Sequence, residues 1–146
     1  MMNQSLTLYG ALGSGSVPVE AALTLIGLPF EVVEAPTWEG EAEQAKVAGV
    51  NPLKQIPAVI LPGGEIMTES AAILIWLSDR HPDALLGPAV GDPRRAQFLR
   101  WMTFIPASIY SLFWVATSPR AWRVPIPRPR PGSRPPPPSA SPTAGR

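Results

Sequence analysis

Residues 51–77, NPLKQIPAVILPGGEIMTESAAILIWL, hold a nearly complete folding unit in one stretch. An Ile56-Pro57 bond heads a continuous apolar run, Ala58-Val59-Ile60-Leu61, of the length expected for a buried strand. Pro62-Gly63-Gly64 supplies a tight turn, and Glu65–Thr68 returns as a hairpin partner. Thr68-Glu69-Ser70 then opens a helix that runs to Arg80 and is ended by His81-Pro82. Its Ala71, Ala72, Ile73, Leu74, Ile75, Trp76 and Leu77 make it apolar on most sides, so it must be buried. Such a unit needs an opposing half.

The upstream chain has the pattern of that half. Ser5–Tyr9 is short and alternating and reads as a first strand. A Gly/Ser loop, Gly10–Ser16, leads to Val17, Ala21, Ala22, Leu25 and Ile26 at helical spacing, stopped by Gly27. Pro18 is tolerated because the first helical turn has no intrahelical use for its missing N–H. Phe30–Glu34 reads as a second strand, and Trp38–Val47 as a weak helix stopped by Asn51-Pro52. The order β-α-β-α-β-β-α predicts an α/β fold, a four-stranded mixed sheet covered by three helices. After a Pro/Gly/Asp linker, Arg94–Val115 reads as a further apolar helix, kinked or divided by Pro106. Trp101, Phe104 and Phe113 are expected to form interhelical core there.

Composition excludes several chemistries. The chain has no cysteine, which removes disulfides, thiolate metal sites and dithiol redox chemistry, and its single histidine, His81, makes a metal site unexpected. His81 instead suits the last carbonyls of its helix. No apolar run approaches the ~18 residues of a membrane span. The start, MMNQSLTLYG, lacks the features of a signal peptide, so the expected location is the cytoplasm. Charge divides the chain. Residues 1–116 carry all 11 acidic groups and six basic ones, whereas residues 117–146 carry six arginines, ten of the 20 prolines and no acid.

Three places can carry chemistry. Ile56-Pro57 reads as an ordinary trans proline opening a strand, or as a cis bond that turns the Ile56 backbone outward to pair with an extended peptide. Thr68-Glu69-Ser70 reads as a helix cap, or as a site where hydroxyl and free N–H groups hold a carboxylate while Glu69 holds an ammonium. Gly13-Ser14-Gly15-Ser16 reads as a flexible turn, or as a cradle whose hydroxyls stabilise a bound thiolate and lower its pKa.

Taken together, LTLYG with its serine loop, LIGLPFEVV, NPLKQIPAVIL and PGGEIMTESAAILIWLSDRHP resemble the N-terminal thioredoxin-like domain of the cytosolic glutathione transferases over residues 5–83. The resemblance implies an enzyme that joins the thiolate of glutathione, its co-substrate, to a small-molecule electrophile, working as a homodimer without a metal. Ile56 would bind the cysteinyl part through its backbone, ahead of a cis Pro57. Glu69 and Ser70 would hold the γ-glutamyl end, with Gln55, Lys54 and Trp38 near the glycine carboxylate. For the activating hydroxyl, the family's serine and cysteine columns fall on Gly13 and Gly15, and its tyrosine column on Tyr9. A loop shift of one residue restores Ser14, so Ser14 is the first candidate, Ser16 the second and Tyr9 the third. Without such a hydroxyl the alternative is a non-catalytic binding module.

The resemblance divides the chain into a glutathione-binding domain (1–83), a linker (84–92), the first helix of an incomplete all-α domain (93–116) and a disordered Pro/Arg-rich tail (117–146). That tail cannot bury a core. Its arginines lack the interleaved aromatics of a specific nucleic-acid site. A departure of the reading frame near Ala116 would explain the change in composition, and an incomplete second domain would leave glutathione binding with impaired turnover.

Overall fold

The computed structural model describes residues 5–112. Alternation in β1 (Leu6–Gly10) buries Leu6 and Leu8 and leaves Thr7 and Tyr9 half-buried on the other face. Helix α1 (Val17–Ile26) stops at Gly27, whose left-handed φ of 79° returns its N–H to the carbonyls of Leu23 and Thr24. The chain then enters β2 (Phe30–Glu34), which lies parallel to β1 with Leu6 opposite Phe30 and Gly10 opposite Glu34. Helix α2 (Glu41–Ala48) starts later than the Trp38 expected from the sequence. Gly40, at φ 140°, leaves helical geometry, and Trp38 stands in the preceding turn, 62% exposed.

Strands β3 (Ala58–Ile60) and β4 (Ile66–Thr68) form the hairpin, with Gly64 at φ 85° in its turn. The sheet order is β2-β1-β3-β4, with β3 antiparallel to both neighbours. Helix α3 (Ser70–Arg80) packs beside α1, and the core forms from Leu6, Leu8, Val19, Leu23, Val59, Ile73 and Leu77. Full burial of a Leu or Ile side chain is worth about 1.5–3 kcal/mol. Leu8, Leu23, Leu77 and Ile73 are each at most 1% exposed, so they anchor the sheet to the two helices. This is the expected four-stranded mixed sheet of a thioredoxin-like domain.

Beyond α3, Pro82–Ala84 makes a single 3-10 turn, and α4 (Arg95–Phe104) runs on into a π turn (Ile105–Tyr110). Pro106, read as a kink or break, falls inside that wider turn, where the helix proceeds despite the missing N–H. Two acidic residues fix α4. The Asp92 carboxylate accepts the Arg94 backbone N–H at 2.8 Å. The Arg94 side chain bonded to Asp92 pulls that carboxyl down to about 2. Arg95 lies 2.8 Å from the Asp79 carboxylate of α3 and donates to the Pro88 carbonyl at 2.9 Å.

The expectation of interhelical core at Trp101 and Phe104 is corrected. No residue of α4 is buried. The two rings instead meet edge to face, centroids 5.5 Å apart, with Trp101 50% and Phe104 43% exposed. Among the described elements α3 is the main neighbour of this helix outside its own continuation, and one neighbour cannot cover an apolar stripe of that width. Phe113, the Pro/Arg-rich segment and the change of composition near Ala116 lie outside the described residues.

Candidate functional site

Strand register gathers three loops at one end of the sheet. Ala58 stands opposite Tyr9 of β1 and opposite Thr68 of β4. The residues just outside those pairs are therefore neighbours: the loop after β1, Pro57 before β3, and Glu69-Ser70 after β4. Between them opens a cavity of 190 Å³ whose lining includes Gly15, Gln55, Ile56, Pro57, Glu69 and Ser70. Open α/β sheets place their ligands in such crevices at strand ends.

Each wall has a local cause. The Ile56-Pro57 bond is cis. The turn before it is held by Asn51, whose amide donates to the Gln55 carbonyl at 2.9 Å while its side-chain oxygen accepts the Leu53 N–H at 3.0 Å. Asn51 also accepts the Lys54 N–H on its own carbonyl, fixing Lys54 at φ 55°. At the third wall, Glu69 has φ 67°, a conformation that costs a non-glycine residue about 1–3 kcal/mol. Helix α3 begins one residue later with no side-chain cap on its first N–H groups, and its first residue, Ser70, lines the crevice. Ser70 is buried and Glu69 exposed.

The loop hydroxyls are arranged differently. Ser16 is fully buried: its Oγ accepts the Ala11 N–H at 3.1 Å and lies 2.9 Å from Glu20 Oε1 as donor. Ser14 Oγ lies 3.0 Å from Ser16 Oγ and accepts the Ser16 backbone N–H at 3.1 Å. Both serines therefore tie the loop to the start of α1. Neither they nor Tyr9 lines the cavity. Lys54 and Trp38 are exposed and outside the lining as well, whereas Gln55 is part of it.

Four lining residues escaped the sequence reading as ligand contacts: Gly15, Asn51, Pro106 and Tyr110. Asn51 was legible only as a helix stop. Pro106 and Tyr110 come from the π turn after α4, and no local pattern links that turn to the sheet end. Among the described residues no group of three His, Cys, Asp or Glu could hold a metal, and no helix is long and apolar enough to cross a membrane.

Residues 14–80 match the family model of the glutathione S-transferase N-terminal domain. An uncharacterised GST-like protein of Escherichia coli K12, YncG, is 38% identical over 115 residues, covering 78% of this chain and 55% of the relative. Glutathione S-transferase GstA of Escherichia coli O157:H7 is 28% identical over 102 residues, 69% of this chain and 51% of the relative. Among solved structures, a glutathione transferase homologue from Sulfitobacter with bound glutathione superposes with a TM-score of 0.71 at 29% identity, over 84% of this chain and 58% of that one. The chain spans about half the length of the curated relatives it matches. Sheet topology and these likenesses agree: residues 14–80 form an N-terminal domain of the glutathione S-transferase family.

Proposed function

We propose that this chain binds glutathione at the sheet-end cavity and presents its thiolate to a small electrophile. The observation that carries the reading is the meeting of the uncapped α3 N-terminus with the Ile56 backbone in one crevice. The γ-glutamyl carboxylate suits the free N–H groups and hydroxyl at Ser70, and its ammonium suits the exposed Glu69 carboxylate. Ile56 N–H and C=O can pair with the cysteinyl backbone as an added strand would. A cavity of 190 Å³ is below the ~300 Å³ of ordinary ligand pockets, so part of the peptide lies outside it, with the glycine end toward Gln55 and Lys54. The glutathione held by the Sulfitobacter homologue supports this choice of ligand.

In the reaction the thiol loses its proton to solvent. The sulfur then forms a bond to an electrophilic carbon, and a leaving group departs with the bonding electron pair or, in an addition, the pair moves onto the acceptor. From the described residues only Pro106 and Tyr110 stand as a wall for the electrophile, so turnover is slow relative to binding. Cytoplasmic location and homodimeric assembly belong to the same reading. Calorimetric titration with glutathione, followed by a conjugation assay with a chlorodinitrobenzene-type electrophile, tests it. Saturable binding with slow conjugation is expected; absence of binding overturns the reading.

A second reading, a non-catalytic glutathione-binding module, is favoured by the engagement of the Ser14 and Ser16 hydroxyls within their own loop. Binding with no turnover above the uncatalysed rate would establish it.

A further inference from the structure

The sheet-end cavity is lined by a tyrosine that does not come from the thioredoxin-like domain. Tyr110 lines it from the π turn, opposite Gly15 and Pro57. A Cβ built on Gly15 would stand 3.5 Å from Pro57 Cδ and 3.9 Å from Tyr110 Cε2. Pro57 and the tyrosine ring thus both lie within ordinary contact distance of the Gly15 position, which places the ring near the Ile56-Pro57 wall, where the cysteinyl sulfur would lie. Tyr110 is 42% exposed, and its hydroxyl makes no hydrogen bond to a described residue.

The other hydroxyls near this end are spent or elsewhere. Ser16 is sealed beneath the loop, Ser14 is tied to Ser16, and Tyr9 is outside the lining. Ser70 stands at the α3 N-terminus, where a carboxylate is the better partner. The π turn explains how Tyr110 gets its aim. Around Pro106 the wider turn inserts one residue, which rotates the positions beyond it by about 100° relative to an uninterrupted α-helix.

We propose that Tyr110, rather than a hydroxyl of the Tyr9–Ser16 loop, donates the hydrogen bond that holds the glutathione sulfur as a thiolate. The inference rests on the proposal that this cavity binds glutathione. The phenol keeps its proton and shares it with the sulfur, whose own proton leaves to solvent. Donation to the charged form lowers the thiol pKa. Because Tyr110 belongs to the helical segment, activation depends on the docking of α4 onto the first domain.

The test is a pH titration of the ultraviolet absorption of bound thiolate, using the full chain, Tyr110→Phe and Ser14→Ala. A hydrogen bond to a charged group is worth enough that Tyr110→Phe should raise the midpoint by about one to two pH units. Ser14→Ala should leave it in place. Affinity for S-methylglutathione, which has no ionisable thiol, should be unchanged in both variants. A midpoint unmoved by Tyr110→Phe, or moved by Ser14→Ala alone, overturns the assignment while leaving glutathione binding intact. Failure of the unmodified chain to bind S-methylglutathione or glutathione overturns the binding reading itself, and this inference with it.

Discussion

A Cβ placed on Gly10 would stand 2.5 Å from the Cβ of Ser16, so the end of β1 and the start of α1 fit together only because residue 10 has no side chain. Gly15, five residues on, has no such neighbour: the nearest atom to its added Cβ is Pro57 Cδ, at an ordinary contact distance of 3.5 Å. Gly10→Ala should destabilise the fold by about 1–3 kcal/mol through overpacking. Gly15→Ala, in a loop without a positive φ at that residue, should be neutral or stabilising by up to about 1 kcal/mol, while narrowing the cavity and weakening glutathione. Urea unfolding of both variants beside the parent checks the pair. Equal destabilisation would show that the loop does not pack as described.

Much of this architecture was legible because its causes are local. Gly27 stops α1 through its left-handed conformation, and the Gly63-Gly64 turn sets the β3–β4 hairpin. Ile56, Pro57, Glu69 and Ser70, which the sequence singles out, line one cavity. The loop serines lie outside the cavity lining, and their types could not show this, because hydroxyls next to a helix start serve either a ligand or their own backbone. Burial of Ser16 against Ala11 and Glu20 is a tertiary fact that composition does not contain. Trp38 looked helical until Gly40 left helical geometry behind it. Tyr110 was invisible for a different reason: its approach to Gly15 spans 95 positions of sequence and depends on a π turn that Pro106 alone does not specify.

Arg95 joins the helical segment to the first domain. Its side chain is only 13% exposed, pairs with Asp79 of α3 and donates to the Pro88 carbonyl. An exposed ion pair contributes about 0–1 kcal/mol, but a sheltered charged group bonded to a backbone oxygen is worth more. Arg95→Ala should cost about 1–2 kcal/mol in urea unfolding. It should also raise the midpoint of bound thiolate, because Tyr110 is carried on the same helix. Loss of stability with an unchanged midpoint would separate helix docking from thiol activation.

Acid should release the entry to α4. Asp92 is held at about 2, below the ordinary 3.8, by its side-chain and backbone hydrogen bonds with Arg94. A carboxyl depressed in the folded state contributes stability that is complete above 3.8 and is lost as pH falls toward 2. Amide exchange or chemical shifts around Arg94 should therefore change between those two values, and Asp92→Asn should abolish that step. A step that persists in Asp92→Asn would assign it to another group.

The central claim is that glutathione is held where the start of α3 meets the Ile56 backbone. Its most direct measurement is a calorimetric titration of the chain with glutathione, in parallel with Glu69→Gln. Glu69 is exposed and lines the cavity without a protein cation bonded to it among the described residues, so its charge is available to the γ-glutamyl ammonium. Removing a charged hydrogen bond should weaken binding by about 10- to 100-fold while leaving unfolding by urea unchanged. Saturable binding by the parent chain with that loss in Glu69→Gln is the predicted result. No saturable heat, or equal affinity in the two proteins, would contradict it.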